Sequence, residues 1–361
     1  MKAPIFKSAL LLIFVQILVI TSAFAVSEEF SKNLHKEYDA DAKTTLIIQN
    51  KFGDVDINNW DKNKVSIDVI ITVDHRNEEK AKELIDYINV KFSQTGNTIE
   101  AITEIDDKFN RGNTFIFNDD KKEFSIDYKV NIPKNISLDV TNKYGSLFIN
   151  EIEGYAKIAV KYGNLKIKKI TRANVKPLSE IYLGYSNGTI ENAKWLNLTL
   201  KYSKLEIEEC KALIAVTKYS KLYVDKASSI VCESKYDEYR IGKITNFVSS
   251  SAYTGIDINE VYKKLEIDNR YGSIDVDYVP VNFEKIDIEN EYGNIDIGID
   301  PNASYNIDGY AKYADIDYPH EGRVSRIKES TSLQVEGLVG TDSNTKSIVK
   351  LQTKYGNIDL E

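Results

Sequence analysis

"LKYSKLEIEECKALIAVTKYSKLYV", residues Leu200–Val224, spells Lys-Tyr-Ser-Lys-Leu twice, with Tyr202 and Tyr219 seventeen residues apart. The phrase is one instance of a longer pattern: an aromatic, a small residue, any residue, an apolar, any residue, an apolar. It recurs at Phe52, Tyr144, Tyr162, Tyr185, Tyr202, Tyr219, Tyr236, Tyr253, Tyr271, Tyr292, Tyr313 and Tyr355. From Tyr144 on the steps are 18, 23, 17, 17, 17, 17, 18, 21, 21 and 42 residues. A fixed short period of this kind is the signature of a stacked repeat. The final step reads as two periods of 21, with a degenerate copy around Leu333 and Val335.

With the aromatic taken as position 0, apolar residues stand at −6, −4 and sometimes −2, as in Leu196, Leu198 and Leu200 before Tyr202. They stand at +3 and +5 downstream, as in Leu205 and Ile207. Alternation by two marks a strand with one buried face, and the switch from even to odd positions means that a residue is spent in a bend. The glycines after several aromatics, Gly145 and Gly293 among them, suit a bend with positive φ.

Two-strand units of this length are too short for βαβ crossovers and too evenly spaced for hairpins of a sandwich. They predict an all-β fold: a single-stranded parallel β-helix, or β-solenoid, with turns of 17–21 residues, right-handed by the general rule for parallel crossovers. At a strand spacing of about 4.8 Å, a dozen turns make a rod roughly 60 Å long.

Position 0 shares parity with −4 and −2. This predicts a buried structural ladder of Tyr144, Tyr162, Tyr185, Tyr202, Tyr219, Tyr236, Tyr253, Tyr271, Tyr292, Tyr313 and Tyr355 along one corner. Position −1 is basic in Lys51, Lys143, Lys161, Lys201, Lys218, Lys235, Arg270, Lys312 and Lys354. Position +4 gives a candidate acidic surface column, Asp257, Asp275, Asp296 and Asp317, with Asp359 and Asp56 at the same phase. A solvated face explains it, and calcium ligation is the sharper alternative.

Between Phe52 and Tyr144 the texture changes. Lys64–Asp74 alternates like a strand, residues 77–88 have helical spacing with acids in the first turn, and a hairpin follows, turning at Thr95-Gly96-Asn97. Residues 26–130 are therefore expected to form a β-rich N-terminal region with the first repeat and one helix, and residues 131–361 the repeats. The chain stops at Glu361, directly after a copy, which predicts an exposed terminal strand open to pairing unless Tyr318–Arg326 folds over it.

Composition sets the compartment. The chain has 361 residues, 42% hydrophobic and 28% charged, enough for a packed core. Lys2 and Lys7, an apolar run from Ala9 to Ile20 and Ala23-Phe24-Ala25 read as a signal peptide over residues 1–25. Its removal takes the formal charge from −8 to −10, a poor match for nucleic acid. No later segment has the roughly 20 apolar residues of a membrane-spanning helix. The expected location is the periplasm, the cell surface or the medium. Cys210 and Cys232 read either as one disulfide or as two buried thiols, and their different phases in the repeat favour thiols.

At "VNIPKNISLDVTNKYGSLFI", Val130–Ile149, a proline leads a strand into a Tyr-Gly bend and a second strand; this, with "VEGLVGTDSNTKSIVKLQTKYGNIDL" at the end, resembles the bacterial putative-adhesin family of β-strand-repeat domains. The resemblance covers most of residues 40–361. It implies an exported β-solenoid at the bacterial envelope or surface, with no catalytic residue to carry over.

Nothing in the residues points to catalysis. His35, His75 and His320 are scattered, and no HExxH, Walker loop, G-x-S-x-G elbow or paired-cysteine zinc spacing is present. The expectation is a non-catalytic interaction or structural module without cofactor or metal, its partner a surface glycan or an envelope protein. The alternative is a glycan-binding or polysaccharide-acting β-helix, for which turns this short leave little chain to wall a cleft.

Overall fold

The computed structural model describes residues 28–110 and 124–361. The leader peptide read from the sequence lies outside the described residues. Nearly every element is a strand, and the strands join into one long, mostly parallel, solenoid-like sheet that does not close on itself.

The repeat reappears as register. Lys204 stands opposite Lys221, Glu238 and Gly255 in successive copies, and Lys201 opposite Lys218, Lys235 and Ala252. In the middle of the chain each copy is one strand of 15 or 16 residues, such as Lys204–Lys218 or Gly255–Arg270, folded in two along its length. Two inward columns are built of large apolar and aromatic side chains: Leu196, Leu213, Ile230, Phe247 and Leu265 at −6, and Leu205, Leu222, Tyr239 and Ile256 at +3. A third column at +8, Ala193, Cys210, Ala227, Ile244 and Val261, fills the fold of the strand. Each copy exposes one apolar edge that only the next copy covers, so burial and backbone pairing propagate together.

The N-terminal region extends both halves of the first copy. Strands β1 (Glu28–Asp39), β2 (Thr45–Lys51), β3 (Val55–Asn59) and β4 (Lys64–His75) are followed by helix α1 (Glu78–Asp86). Then come β5 (Ile88–Thr95), β6 (Thr98–Ile105) and β7 (Phe124–Ile132). One half continues from β2 to β6 and β5, and the other from β3 to β7, β4 and β1, with antiparallel pairs outermost. Helix α1 starts where the Asn77 side chain accepts from the Lys80 amide at 2.9 Å, and it buries Ala81, Leu84 and Ile85. No helix among the described residues is long and apolar enough to cross a membrane.

The C-terminal end differs from the sequence expectation in two ways. Leu333 and Val335 belong to no repeat: the strand Ser332–Val339 runs antiparallel to Tyr305–Lys312, and Gly322–Lys328 pairs antiparallel outside it. The last copy is not a terminal edge either. Ile348–Lys354 lies between Lys285–Glu291 and Tyr305–Lys312, parallel to both, and Ile358–Leu360 pairs with Ile295–Ile299 and Ile316–Asp317. The chain turns back after Ile316–Asp317 to form the outer hairpin, then returns to fill the gap. Outermost beside Ser332–Val339 is the exposed strand Gly322–Lys328, whose Arg323, Arg326 and Lys328 oppose pairing with another chain.

Candidate functional site: an exposed tyrosine file beside a lysine row

The aromatics of the repeat stack in one file, in the order Phe52, Tyr144, Tyr162, Tyr185, Tyr202, Tyr219, Tyr236, Tyr253, Tyr271, Tyr292, Tyr355, Tyr313. Ring centroids are 4.6–5.1 Å apart and ring planes within 16° of parallel. Tyr355 stands between Tyr292 and Tyr313, as the inserted last copy requires. At the N-terminal end Phe124 tilts against Phe52 and Phe109 packs edge-on to Phe124.

The file is on the outside. From Tyr162 onward these rings are 39–54% exposed, so the expected interior corner is corrected. Parity failed because every aromatic of the file has a positive φ, between 51° and 64°. A residue in the left-handed region reverses the alternation, turning its own side chain out and the next one in.

The following residue is accordingly buried and small: Ser186, Ser203, Ser220, Asp237 and Thr254 are all less than a tenth exposed. Glycine at that position does not supply the positive φ. It answers a close approach: a Cβ on Gly145 would lie 1.9 Å from the Gly53 carbonyl oxygen, and one on Gly293 2.2 Å from that of Gly272. Beside such bends a buried Asn at −2 donates to the carbonyls. The Asn290 amide reaches the oxygens of Gly272 and Gly293, both at 2.9 Å, and Asn142 those of Gly53 and Ser146, both at 3.0 Å.

One bend uses a carboxylate. Asp237 Oδ1 accepts from the Ser220 amide at 2.6 Å, and Oδ2 accepts from Thr217 Oγ1 at 2.6 Å, the Lys235 amide at 2.8 Å and Ser234 Oγ at 2.9 Å. Thr217 also meets the Tyr239 hydroxyl, whose pKa burial pushes well above its ordinary value. Sequence reading missed this network because an Asp at a bend resembles any surface turn residue; its burial follows from the left-handed residue before it.

The −1 row runs beside the file. Lys143, Lys161, Lys201, Lys218 and Lys235 occupy one straight rank, interrupted at Gly184. The ammonium groups of Lys143, Lys218 and Lys235 stand 4.8–5.4 Å from the centroids of their own tyrosines. None of the five is within ion-pair distance of a carboxylate among the described residues. Several lysines on other ranks are paired, Lys204 with Glu206 at 2.6 Å, Lys221 with Glu238 at 2.7 Å and Lys226 with Glu209 at 3.1 Å, while Lys166, Lys169, Lys194 and Lys211 have no carboxylate within ion-pair distance among the described residues. An open groove follows the row, lined by Lys201, Lys218 and Lys235 with Thr199, Val216, Glu233 and Ser250.

The acidic column is also in register, as Asp257, Asp275, Asp296, Asp359 and Asp317. Burial, then Asp275 and Asp277, raise the pKa of Asp257; burial, then Asp275 and Asp359, raise that of Asp296. No group of three or more His, Cys, Asp or Glu among the described residues is placed to hold a metal ion. Cys210 and Cys232 are free, buried thiols in different columns, pushed by burial up to about 12 and about 11. His35 meets Asp68 at 2.6 Å on the β1–β4 pair, and His320 packs edge-on to Tyr318.

No family model matches the chain, and no curated protein does. Among solved structures it is similar to a putative cell adhesion protein from Clostridium sporogenes, with 11% identity, a TM-score of 0.22, and 92% of this chain and 99% of that one covered. It is also similar to a putative lipid binding protein from Parabacteroides distasonis, at 11% identity and a TM-score of 0.33, covering 91% of this chain and 97% of that one. A putative adhesin from Bacteroides fragilis matches at 8% identity and a TM-score of 0.31, with the same coverage.

Proposed function

We propose that the chain is an exported, non-catalytic β-solenoid, coiled right-handed in single-stranded turns of 17–21 residues, that acts in the adhesin manner, by contact at the envelope or surface of a bacterium. The observation that carries the reading is the tyrosine file: a continuous line of half-exposed aromatic edges and hydroxyls along the stack. A contiguous exposed aromatic surface of this length is what contact with another molecule uses. The leader-like sequence supports export. A sugar-stacking variant of the alternative is less well supported, since each ring's faces are occupied by its neighbours and only its edge meets solvent.

The test is to fractionate cells producing the full chain, define its mature N-terminus by mass spectrometry, and measure binding of purified protein to intact cells. Processed protein outside the cytoplasm that binds cells is the expected result. An unprocessed cytoplasmic protein, or an exported one that binds no cell surface, refutes the reading.

A further inference from the structure

We infer that the rank Lys143, Lys161, Lys201, Lys218 and Lys235 is a docking line for a linear acidic polysaccharide lying along the stack, an inference that rests on the contact reading above and names its ligand class. The first support is charge. In a chain of net charge −8, Lys204, Lys221 and Lys226 on neighbouring ranks neutralise carboxylates, while these five, in register on one rank, have none within ion-pair distance, and Glu233 alone among the residues lining the groove is acidic. Like charges one rung apart repel, so an approaching anion gains from each of them and relieves their repulsion as well.

The second support is shape. Parallel in-register pairing sets the rank straight, with one ammonium per rung of about 4.8 Å between Lys201 and Lys235. The groove beside these residues is open to solvent, which suits a polymer laid along it better than an enclosed small molecule. The third support is the hydroxyl edge. The tyrosine file beside the rank, its rings 4.8–4.9 Å apart from Tyr185 to Tyr219, adds hydroxyl donors and acceptors, the set that a carboxylated sugar with its own hydroxyls satisfies. A nucleic-acid strand is the competing polyanion, and the acidic net charge of the chain disfavours it.

The experiment uses the full mature chain immobilised at low ionic strength with EDTA present, so that calcium bridging through the acidic column is absent. The probes are polygalacturonate, its fully methyl-esterified form and oligo(dT). Polygalacturonate binding that falls with salt, with no binding of the ester, is expected. The triple variant K201Q/K218Q/K235Q should lose roughly tenfold or more in affinity. The matched variant K204Q/K221Q/K226Q, with the same net charge change on paired lysines, should not. Thermal melting of both variants verifies folding, and single K218Q replaces the triple if the latter fails to fold. No binding of polygalacturonate, equal binding of the ester, equal loss in both triple variants, or row-dependent binding of oligo(dT) as tight as that of polygalacturonate each overturns the inference. If cell binding persists in K201Q/K218Q/K235Q, the docking line falls while the contact reading stands; a chain that is not exported ends the contact reading whatever it binds in vitro.

Discussion

Replacing Tyr219 by Gly and, separately, by Ala tests the geometry on which the file depends. Tyr219 stacks on Tyr202 at 4.9 Å and on Tyr236 at 4.8 Å, and such contacts contribute about 0.5–1.5 kcal/mol each beyond area burial, hence about 2 kcal/mol together. The ring is 42% exposed, so only part of its surface is buried. At about 25 cal/mol per Å² over roughly 100 Å², that burial adds about 2.5 kcal/mol as an upper estimate. Truncation to Ala should therefore cost about 3–4 kcal/mol.

Gly loses the same contacts but behaves differently in the backbone. With φ at 52°, a residue carrying Cβ bears about 1–2 kcal/mol of left-handed strain, which Gly escapes. Its looser unfolded state takes back about 0.5–1 kcal/mol. Tyr219→Gly should therefore be more stable than Tyr219→Ala by about 0.5–1 kcal/mol. At Ser250, an exposed strand residue with ordinary φ, the order should reverse, with Ala ahead by about as much. Urea midpoints read with hydrogen exchange of the flanking rungs measure this, since a stacked array need not unfold in one step. An Ala variant equal to or above the Gly variant at 219 would refute the left-handed bend as the reason for the outward file.

Gly293→Ala should cost about 3 kcal/mol by forcing the rung away from the Gly272 oxygen, and Gly293→Asn should be no better, because the position needs an absent Cβ rather than positive φ; chemical denaturation of both variants checks this. Asp237→Ala should destabilise by about 3 kcal/mol, since it leaves the Ser220 and Lys235 amides without their acceptor, and a urea melt reads the loss. For Asp296 the folded pKa is raised, so its contribution to stability is full below the ordinary aspartate range and is lost as pH rises through the raised value. Asp296→Asn should therefore raise the melting temperature at pH 7, with the difference disappearing toward pH 3. Cys210 and Cys232 should resist a thiol reagent at pH 8 in the folded protein and both react in denaturant; fast labelling of the native chain would contradict their burial.

The repeat was legible because its physics is local. Alternation at −6, −4, +3 and +5 dictates which side of each strand is apolar, and identical phase in successive copies dictates in-register stacking, so Leu196, Leu213 and Ile230 could be assigned to one column from residue types alone. The helix over Glu78–Asp86 and the Gly96 hairpin carried equally local signals. Three things were decided only in the folded chain. The bend conformation lies in the tyrosine rather than the glycine, because the close approach of the next rung's carbonyl, not the glycine's own freedom, selects the small residue. The final copy enters between the Tyr292 and Tyr313 copies, since any copy of the same phase can pair with either neighbour and sequence order alone does not rank them. The lysine rank is set apart by being in register from copy to copy with no carboxylate partner, and whether a charge has a partner depends on what the next copy places across the ladder, at a distance in sequence that no local pattern records.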